Sequence, residues 1–386
     1  MNYENIHVLL ADGGDRQTLP LLEELKKLGC IVTTLNKSNL DVGKTSKYPD
    51  FKEFYIHQGE GVDSQIAAIE ELAKSKKYDI VITTSDDVAE ALSIKKSELE
   101  QYTKIAIVEP ELFFKAYDKL QTMDICMRND IPCPKTFHNL SNVEHMDWEN
   151  ITFPIVIKPR KSYGSIGFHR FDDMASAKGF CKSIGENVKE FVIQEYIPQT
   201  DIQYECAMFM DENSEVKTAM VFSKNRWFPV DGGSSTCNVS VSRPDIVETC
   251  TKLLKTIGWK GPADIDLIQD PRDNVAKVIE INPRVSGSVK IVIKSGINIV
   301  EQIVQLAMGE EVTPYIEYDK GVRLRCMHTE LLWFIKSKKR FRTDPPFFDF
   351  RSTYDQIWNW HDPVPFFSFS LQALGKYGKE IKKRKR

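Results

Sequence analysis

The stretch VIEINPRVSG, residues 278–287, places three polar side chains on a strand that is otherwise apolar. Its apolar residues predict a buried strand, and Glu280, Asn282 and Arg284 stand on alternate positions along it. Because successive side chains on a strand point to opposite faces, these three groups are expected on one face. The pattern favours either a ligand site or a solvated edge on which Glu280 pairs with Arg284.

The preceding segment ADIDLIQD, residues 263–270, predicts an antiparallel partner for that strand. Cross-strand neighbours lie roughly 5 Å apart, so oxygen atoms of Asp266, Glu280 and Asn282 can converge on a hard cation. Magnesium prefers carboxylate oxygens together with substrate phosphates, and the planar guanidinium of Arg284 suits phosphate oxygens. The hairpin therefore predicts a Mg²⁺ site, with Mn²⁺ as an alternative ion.

A second feature is a lysine followed by a glycine-bearing loop in FPIVIKPRKSYGSIG, residues 153–167. Lys158 is predicted at the end of a strand, and Gly164 and Gly167 follow it. Backbone N–H groups of such a loop can approach phosphates, and the lysine adds positive charge. A surface hairpin with ordinary glycines is the alternative interpretation.

A third feature is the apolar strand FVIQEYI, residues 191–197, which carries Gln194 and Glu195 near its end. A strand of this kind can present backbone groups to the edge of an adenine ring. The alternative is a core strand with one exposed acid.

The order of predicted elements changes along the chain. Before residue 110, apolar strands alternate with amphipathic helices, which predicts a parallel, doubly wound sheet. From residue 153 onward the pattern is rich in strands and hairpins. A chain of 386 residues is too long for one compact core and suits two or three domains.

Composition excludes several classes of protein. The net charge of −3 creates no global field that demands nucleic acid, and no apolar run approaches the roughly 20 residues of a membrane helix. The N-terminus carries no basic region ahead of its short apolar run, so we expect no signal peptide. The eight cysteines form no CxxC pair, which favours a reducing cytoplasm.

In order and spacing, these elements resemble the ATP-grasp superfamily, and most closely its biotin carboxylase and carbamoyl-phosphate synthetase large-subunit members. The matching residues are VIEINPRVSGS, FPIVIKP with its glycine loop, and AYDKLQTMDICMRNDIPCP, residues 116–134. The resemblance implies a mixed α/β and α+β fold, in which two α+β subdomains clamp ATP. It implies a Rossmann-like domain at 1–112, an ATP-grasp domain at 113–310 with a lid at about 152–197, and a C-terminal extension at 311–386.

The resemblance also implies roles for individual residues. Arg284 and Lys158 would act on the transferring phosphoryl group, and Asp266, Glu280 and Asn282 would bind the metal. ATP would contact two lysines, the lid, the adenine strand and a ribose-binding residue that is either Asp201 or Gln203. The residues implied to bind ATP are Lys119, Lys158, Gly164, Ser165, Gly167, Gln194, Glu195, Ile197, Asp201 and Gln203.

The segment 223–244 between the two hairpins predicts a binding site for a second substrate. A Gly-Gly-Ser-Ser turn with nearby cations suits a carboxylate-bearing molecule. An irregular crossover whose glycines only satisfy backbone geometry is the alternative. The candidate residues are Lys224, Arg226, Gly233, Ser234 and Ser235.

The activity implied is an ATP-dependent ligase that joins a small carboxylate to an amine or thiol through an acyl phosphate. Activation of bicarbonate, as in the named relatives, is one alternative, and a non-catalytic ATP-binding or assembly protein is another. The last eight residues contain six Lys or Arg, which predicts a solvated tail or weak contact with an anionic membrane. A homodimer is compatible with the sequence.

Overall fold

The computed structural model describes residues 2–55, 61–75, 77–137, 147–161, 166–199, 202–230 and 233–384. Within these ranges the strands form three sheets, of five, seven and four strands. The mixed α/β and α+β fold class predicted from the sequence is confirmed.

The first sheet is parallel and lies in the N-terminal region, as the alternation of strands and helices predicts. Its strand order is β3-β2-β1-β4-β5. The strands are β1 (His7–Leu10), β2 (Ile31–Asn36), β3 (Phe51–Phe54), β4 (Ile80–Ile82) and β5 (Lys104–Ile105). The helices between them are α1 (Thr18–Leu28), α2 (Val42–Thr45), α3 (Val62–Lys74), α4 (Asp86–Ile94) and α5 (Lys96–Leu99).

Helix α1 shows how the sequence determines these elements. Leu21, Leu22 and Leu25 recur at helical spacing and are fully buried, so one face of the helix joins the core of the sheet. The helix ends at Gly29, whose φ of 93° is a left-handed conformation that glycine adopts without steric cost.

Two helices, α6 (Pro110–Tyr117) and α7 (Lys119–Arg128), lead into the four-stranded sheet. That sheet has the order β6-β9-β7-β8. Its elements are β6 (Thr136–Phe137), β7 (Ile155–Pro159), β8 (His169–Phe171), β9 (Phe191–Glu195), helix α8 (Met174–Ile184) and two short 3₁₀ helices at Trp148–Asn150 and Gly185–Glu190. A separate small core of apolar residues lies between the sheet and α8.

The seven-stranded sheet contains both hairpins predicted from the sequence, and its order is β14-β13-β10-β11-β12-β15-β16. Its strands are β10 (Gln203–Met210), β11 (Val216–Phe228), β12 (Ser234–Val241), β13 (Gly261–Gln269), β14 (Ala276–Asn282), β15 (Arg323–Arg325) and β16 (Thr353–Asp355). The remaining helices are α9 (Pro244–Ile257), α10 (Val289–Lys294), α11 (Ile299–Met308), α12 (Met327–Lys336) and α13 (Val364–Arg384).

Segments that the sequence assigned to separate domains meet in this fold. The strands β15 and β16, from the predicted extension 311–386, lengthen the seven-stranded sheet. The domain boundaries therefore stay a prediction. In the part of the chain that is described, no helix combines the length and apolarity needed to cross a bilayer.

Candidate active site

A row of three carboxylates crosses the seven-stranded sheet. Glu205 on β10 pairs in register with Asp266 on β13, which pairs in register with Glu280 on β14. Like charges in such positions repel, so the row is stable only with cations beside it. Lys224 Nζ lies 2.7 Å from Glu205 Oε2 and also binds Asp266, and Lys119 Nζ lies 3.2 Å from Glu280 Oε2.

The acids of this row titrate differently because their neighbours differ. Burial, only partly opposed by Lys224, raises the pKa of Asp266 to about 7. Burial also disfavours the charge on Glu280, but the ammonium groups of Lys119 and Lys158 and a hydrogen bond from Asp266 outweigh it and lower the pKa of Glu280 to about 2. Near neutral pH the pair therefore tends to hold a proton that a divalent cation can displace.

The two lysines are positioned by a contact between α7 and β7. Asp118 caps α7 by accepting a hydrogen bond from Leu120 N at 3.0 Å, and it also pairs with Arg160, just after β7. The backbone N of Lys119 donates to Arg160 O at 3.1 Å. Burial and the charge of Lys119 lower the pKa of Lys158 to about 8, and the charges of Glu280 and Asp266 oppose this only in part.

Asn282 and Arg284 extend the polar surface towards the N-terminal sheet. Asn282 pairs in register with Asp264, and its Oδ1 accepts from Arg284 Nη2 at 3.3 Å. The same Nη2 atom lies 2.8 Å from Asp86 Oδ2, at the start of α4. The alternative pairing of Arg284 with Glu280 is not what the structure shows.

Two buried polar atoms of this surface lack a hydrogen-bond partner among the described residues, Glu205 Oε1 and Arg284 Nε. Such atoms are costly unless a ligand or water satisfies them. No group of three His, Cys, Asp or Glu side chains in the described ranges is arranged as a metal site. The candidate metal ligands are instead two carboxylates and an amide, a donor set that fits Mg²⁺ when phosphate oxygens complete the shell.

These groups line one cavity of about 630 Å³. One end of the cavity is largely apolar, and the other end lies at the N-terminal sheet. The lining of the apolar end includes Val156, Ile166, Phe168, Gln194, Glu195, Tyr196, Ile197, Gln203, Ile268 and Ile279. The lining of the end at the N-terminal sheet includes Asp15, Arg16, Gln17, Thr84, Ser85, Asp86, Asp87, Ser286, Gly287 and Ser288. Lys119, Lys158, Lys224, Glu280, Asn282 and Arg284 also line the cavity. An elongated ligand with an apolar ring and a charged tail fits this distribution.

A sequence model of the ATP-grasp domain matches residues 116–288, which hold both lysines, the acid row and Arg284. This part of the chain is therefore similar to an ATP-grasp domain.

Known proteins resemble this chain over a larger part of its length. A D-aspartate ligase of Enterococcus faecium (strain Aus0004) is 28% identical over 267 residues, and the match covers 64% of this chain and 62% of that protein. The solved structure of a biotin carboxylase–beta-gamma-ATP complex from Campylobacter jejuni has a TM-score of 0.70 at 18% identity, with 82% of this chain and 74% of that chain covered.

An L-amino acid ligase from Bacillus licheniformis has a TM-score of 0.60 at 18% identity, and the match covers 81% of this chain and 78% of that one. At such identities the solved structures show a shared fold. The chain spans less than two thirds of the D-aspartate ligase, so that protein's activity does not transfer directly.

At the apolar end of the cavity, two predicted adenine-strand residues are held by the protein itself. Gln194 is buried and donates to Thr136 Oγ1 at 2.8 Å. Glu195 Oε1 accepts from Lys135 N at 2.9 Å, and its Oε2 pairs with Arg272 at 2.7 Å. The Glu195 carboxylate thus ties β9 to the β13–β14 turn, and the lining of the cavity includes Gln194, Glu195, Ile197 and Gln203.

Part of the predicted lid and ribose site falls outside the described residues, namely Gly164, Ser165 and Asp201. Gly167 is described and has a φ of 74°. A Cβ atom there would lie 2.7 Å from Pro159 Cγ, so both conformation and space require glycine. Its neighbours Ile166 and Phe168 line the cavity.

The second-substrate residues divide into two groups. Gly233, Ser234, Ser235 and Lys224 line the cavity. A Cβ on Gly233 would lie 2.4 Å from Phe228 O, so this close approach of two backbones requires glycine.

Arg226 does not line the cavity, so its predicted contact with substrate is wrong. Its side chain is fully buried against Glu330 of α12, with Nη2 2.8 Å from Oε2. Lys224 and Arg226 are two residues apart and would share a face of a regular strand. The register of β11 against β12 shifts between them, and this irregularity directs Arg226 away.

Several residues in or next to the cavity were missed by the sequence analysis. Glu205, which lines the cavity, and Asp264, which supports the lining, carried a usable signal, because each alternates with a predicted site residue, Gln203 and Asp266 respectively. Asp264 Oδ2 accepts from Ser286 N at 3.1 Å and so fixes the loop after Arg284. Residues 15–17 after β1 carried no motif that identifies them.

Proposed function

We propose that this chain is an ATP-dependent ligase that joins a carboxylate to an amine through an acyl phosphate, with Mg²⁺. The observation that carries the proposal is one cavity in which Glu205, Asp266 and Glu280 form a row of acids beside Lys119 and Lys158. Phosphoryl transfer depends on positioning and on charge stabilisation more than on covalent help, and this arrangement supplies both.

The nucleotide end of the cavity is assigned to ATP. The adenine would lie among the apolar residues near Ile197 and Ile268, and its phosphates would extend towards Lys119 and Lys158. Asp266, Glu280 and Asn282 would hold Mg²⁺, or alternatively Mn²⁺, which neutralises phosphate charge when bound. Gln203 lines the cavity and is a candidate ribose contact.

The chemistry follows in two steps. A carboxylate oxygen of the first substrate attacks the γ-phosphorus of ATP, and ADP leaves. The amine then attacks the acyl carbon, phosphate leaves, and the amine loses a proton. Arg284, Lys158 and Lys119 reduce the repulsion between carboxylate and triphosphate, and the Ile166–Phe168 side of the cavity limits access of water to the acyl phosphate.

The second substrate is proposed to lie near Gly233, Ser234 and Ser235, which line the same cavity. The similarity to a D-aspartate ligase and to an L-amino acid ligase supports amide formation with small molecules. A thiol is an alternative nucleophile. All eight cysteines are free, which supports a reducing cytoplasm as the site of action.

The test is an assay of phosphate release with ATP, Mg²⁺ and a panel of amino acids, with and without bicarbonate. We expect release to require a carboxylate and an amine and to be accompanied by a product whose mass equals their sum minus water. Added hydroxylamine should trap the acyl phosphate as a hydroxamate. Turnover that needs only bicarbonate would support the carboxylase-like alternative, and tight ATP binding without turnover would support a non-catalytic role.

A further inference from the structure

The N-terminal end of the cavity lies at the switch point of the five-stranded sheet. Strand β1 pairs with β2 on one side and with β4 on the other, and the chain crosses from one side to the other between β3 and β4. In open parallel sheets, ligands bind in the crevice beyond the carboxyl ends of the strands at this point. Residues 15–17 follow β1, residues 84–87 follow β4, and both segments line the cavity.

Two side chains of opposite charge in this crevice have no ionic partner among the described residues. Within the described part of the chain, the one polar contact of the Arg16 side chain is a distant one, from Nη1 to Cys326 Sγ at 3.8 Å. Asp87 has no hydrogen bond or ion pair within the described ranges. Its neighbour Asp86 is different, because it is bound to Arg284.

The surroundings of Arg16 suit a small anion. A Cβ on Gly287 would lie 3.3 Å from Arg16 Nη2, so the glycine leaves the guanidinium open beside the loop 286–288. Ser288 Oγ accepts from Asn238 Nδ2 at 2.9 Å and lines the cavity near Ser235. A guanidinium fork with a nearby hydroxyl is a common carboxylate site.

We propose that this crevice binds a zwitterionic amino acid, with its carboxylate on Arg16 and its ammonium group on Asp87. The assignment rests on the proposed ligase function and specifies the class of one of its two substrates. Both charges of the amino acid would be matched by groups that lack partners within the described chain, so the reacting group would be a carboxylate or amine on its side chain, directed towards Arg284.

The experiment compares KM values of wild type, Arg16→Gln, Arg16→Lys and Asp87→Asn for the amino-acid substrate and for ATP. We expect Arg16→Gln and Asp87→Asn to raise the amino-acid KM on the order of 10-fold to 100-fold, with the ATP KM within about twofold. Arg16→Lys should recover part of the loss. The matched control is Arg351→Gln, which removes an exposed guanidinium elsewhere.

Substrate analogues make the assignment specific. The analogue in which the carboxylate proposed to bind Arg16 is replaced by an amide should be a poor substrate for wild type, and Arg16→Gln should not raise its KM further. The analogue without the amino group should also be a poor substrate for wild type, and Asp87→Asn should not raise its KM further. Unchanged amino-acid KM values in active variants would overturn this inference alone, whereas absence of ATP-dependent turnover in wild type would overturn the proposed ligase.

A different observation concerns the surface of α13. Val364, Phe367, Leu371 and Leu374 recur at spacings of three and four, so they lie on one face of the helix, and each is more than half exposed. The opposite face packs through Phe366 and Phe369 onto the fold. We call the four exposed residues the α13 stripe.

The sequence next to the α13 stripe is strongly basic. The helix continues to Arg384, and six of residues 379–386 are Lys or Arg. Trp360, directly before the helix, is 83% exposed. An exposed apolar stripe that is joined to a basic cluster and an aromatic side chain is typical of helices that lie in a membrane interface.

We infer that the α13 stripe docks on an anionic lipid bilayer. Charge complementarity identifies this partner, because a purely apolar protein partner would not account for the adjoining basic run. The interaction would place the cavity near a membrane, and it does not depend on the proposed ligase activity.

The test is co-sedimentation of the full chain with phosphatidylcholine vesicles and with vesicles that also contain phosphatidylglycerol. We expect binding to the anionic vesicles only, with a several-fold loss at high salt. Phe367→Ser with Leu371→Ser, and separately Lys382→Glu with Lys383→Glu, should each reduce binding at least tenfold. Ile316→Ser, an exposed apolar residue elsewhere, is the control. Binding equal to that of neutral vesicles, or a stripe-dependent dimer without vesicle binding, would overturn the inference.

Discussion

Two cations on strand β11, the partly buried Lys224 and the fully buried Arg226, are two residues apart and have opposite surroundings. Arg226 lies in a closed pair with Glu330, in which its Nε donates at 2.9 Å and Thr236 Oγ1 donates to Glu330 Oε1 at 2.6 Å. A backbone carbonyl, Pro345 O, accepts from Arg226 Nη1 at 2.7 Å. Every charged oxygen and most donors in this pair are satisfied by the protein.

Lys224 lies instead in the acid row, where the charges are not balanced by the chain alone. Glu205 Oε1 is buried without a partner in the described structure, and Asp266 has a raised pKa because burial disfavours its charge. A buried charge therefore does not by itself indicate function. Incomplete hydrogen bonding beside an open cavity separates the acid row from the closed pair.

The largest effect that this comparison predicts is on the acid row. Glu280→Gln removes one metal-ligand charge while keeping the shape of the side chain, so we expect turnover to fall on the order of 10²-fold to 10³-fold. Nucleotide should still bind, because Lys119 and Lys158 remain. Phosphate release and nucleotide titration would be measured on the same preparation, with far-UV circular dichroism as the control for folding.

An active Glu280→Gln variant would contradict the assignment of the metal. The pKa of Glu280 is lowered to about 2 from 4.5, so its carboxylate stabilises the fold above about pH 4.5 and loses that contribution as the pH falls through about 2. The variant should accordingly lose some stability at neutral pH, and its turnover must be compared per folded molecule.

A substitution in the closed pair of Arg226 and Glu330 should lower folding stability and leave turnover nearly unchanged. Glu330→Gln leaves the buried guanidinium of Arg226 without a counter-charge, which typically costs about 3–5 kcal/mol of folding free energy. Chemical denaturation should show this loss, while turnover per folded molecule stays within about twofold, because neither residue lines the cavity. A specific loss of turnover in folded protein would mean that the closed pair has a functional role.

The sequence analysis predicted which residue types form the site better than it predicted where each side chain points. Alternation placed Asp266, Glu280 and Asn282 on one face, and the strand register agrees. Arg226 was assigned wrongly because a shift in register depends on how two strands pair, which single-strand periodicity does not contain. Arg16 and Asp15 were missed because only the sheet topology brings the end of β1 to the cavity.

A smaller effect concerns how protons and Mg²⁺ compete for Asp266. The pKa of this carboxyl is raised from 3.8 to about 7, so its contribution to folding stability is present below about pH 4 and is lost as the pH rises through about 7. Metal affinity should change with the opposite sign, because the metal needs the carboxylate. We expect Mg²⁺ to bind about fivefold more tightly at pH 7 than at pH 6, because the ionised fraction of Asp266 rises by about that factor.

Calorimetric titration of MgADP in two buffers with different ionisation enthalpies would count the protons released on binding. We expect release of up to one proton near pH 6 and almost none at pH 8. Asp266→Asn should abolish the release. An affinity that does not change between pH 6 and pH 8 would show that the acid row binds no metal through Asp266.

The smallest predicted effect is that of alanine substitution at two glycines, one next to the cavity and one that only ends a helix. Gly167 and Gly258 have nearly equal φ values, 74° and 77°, so alanine at either position should cost about 1–2 kcal/mol through backbone strain. A Cβ at Gly258 meets nothing within 4 Å, whereas at Gly167 it would collide with Pro159, which follows Lys158 on β7. Gly167→Ala should therefore raise the KM for ATP several-fold, and Gly258→Ala should lower only the melting temperature. Equal ATP KM values in the two variants would place the loop after β7 outside the nucleotide site.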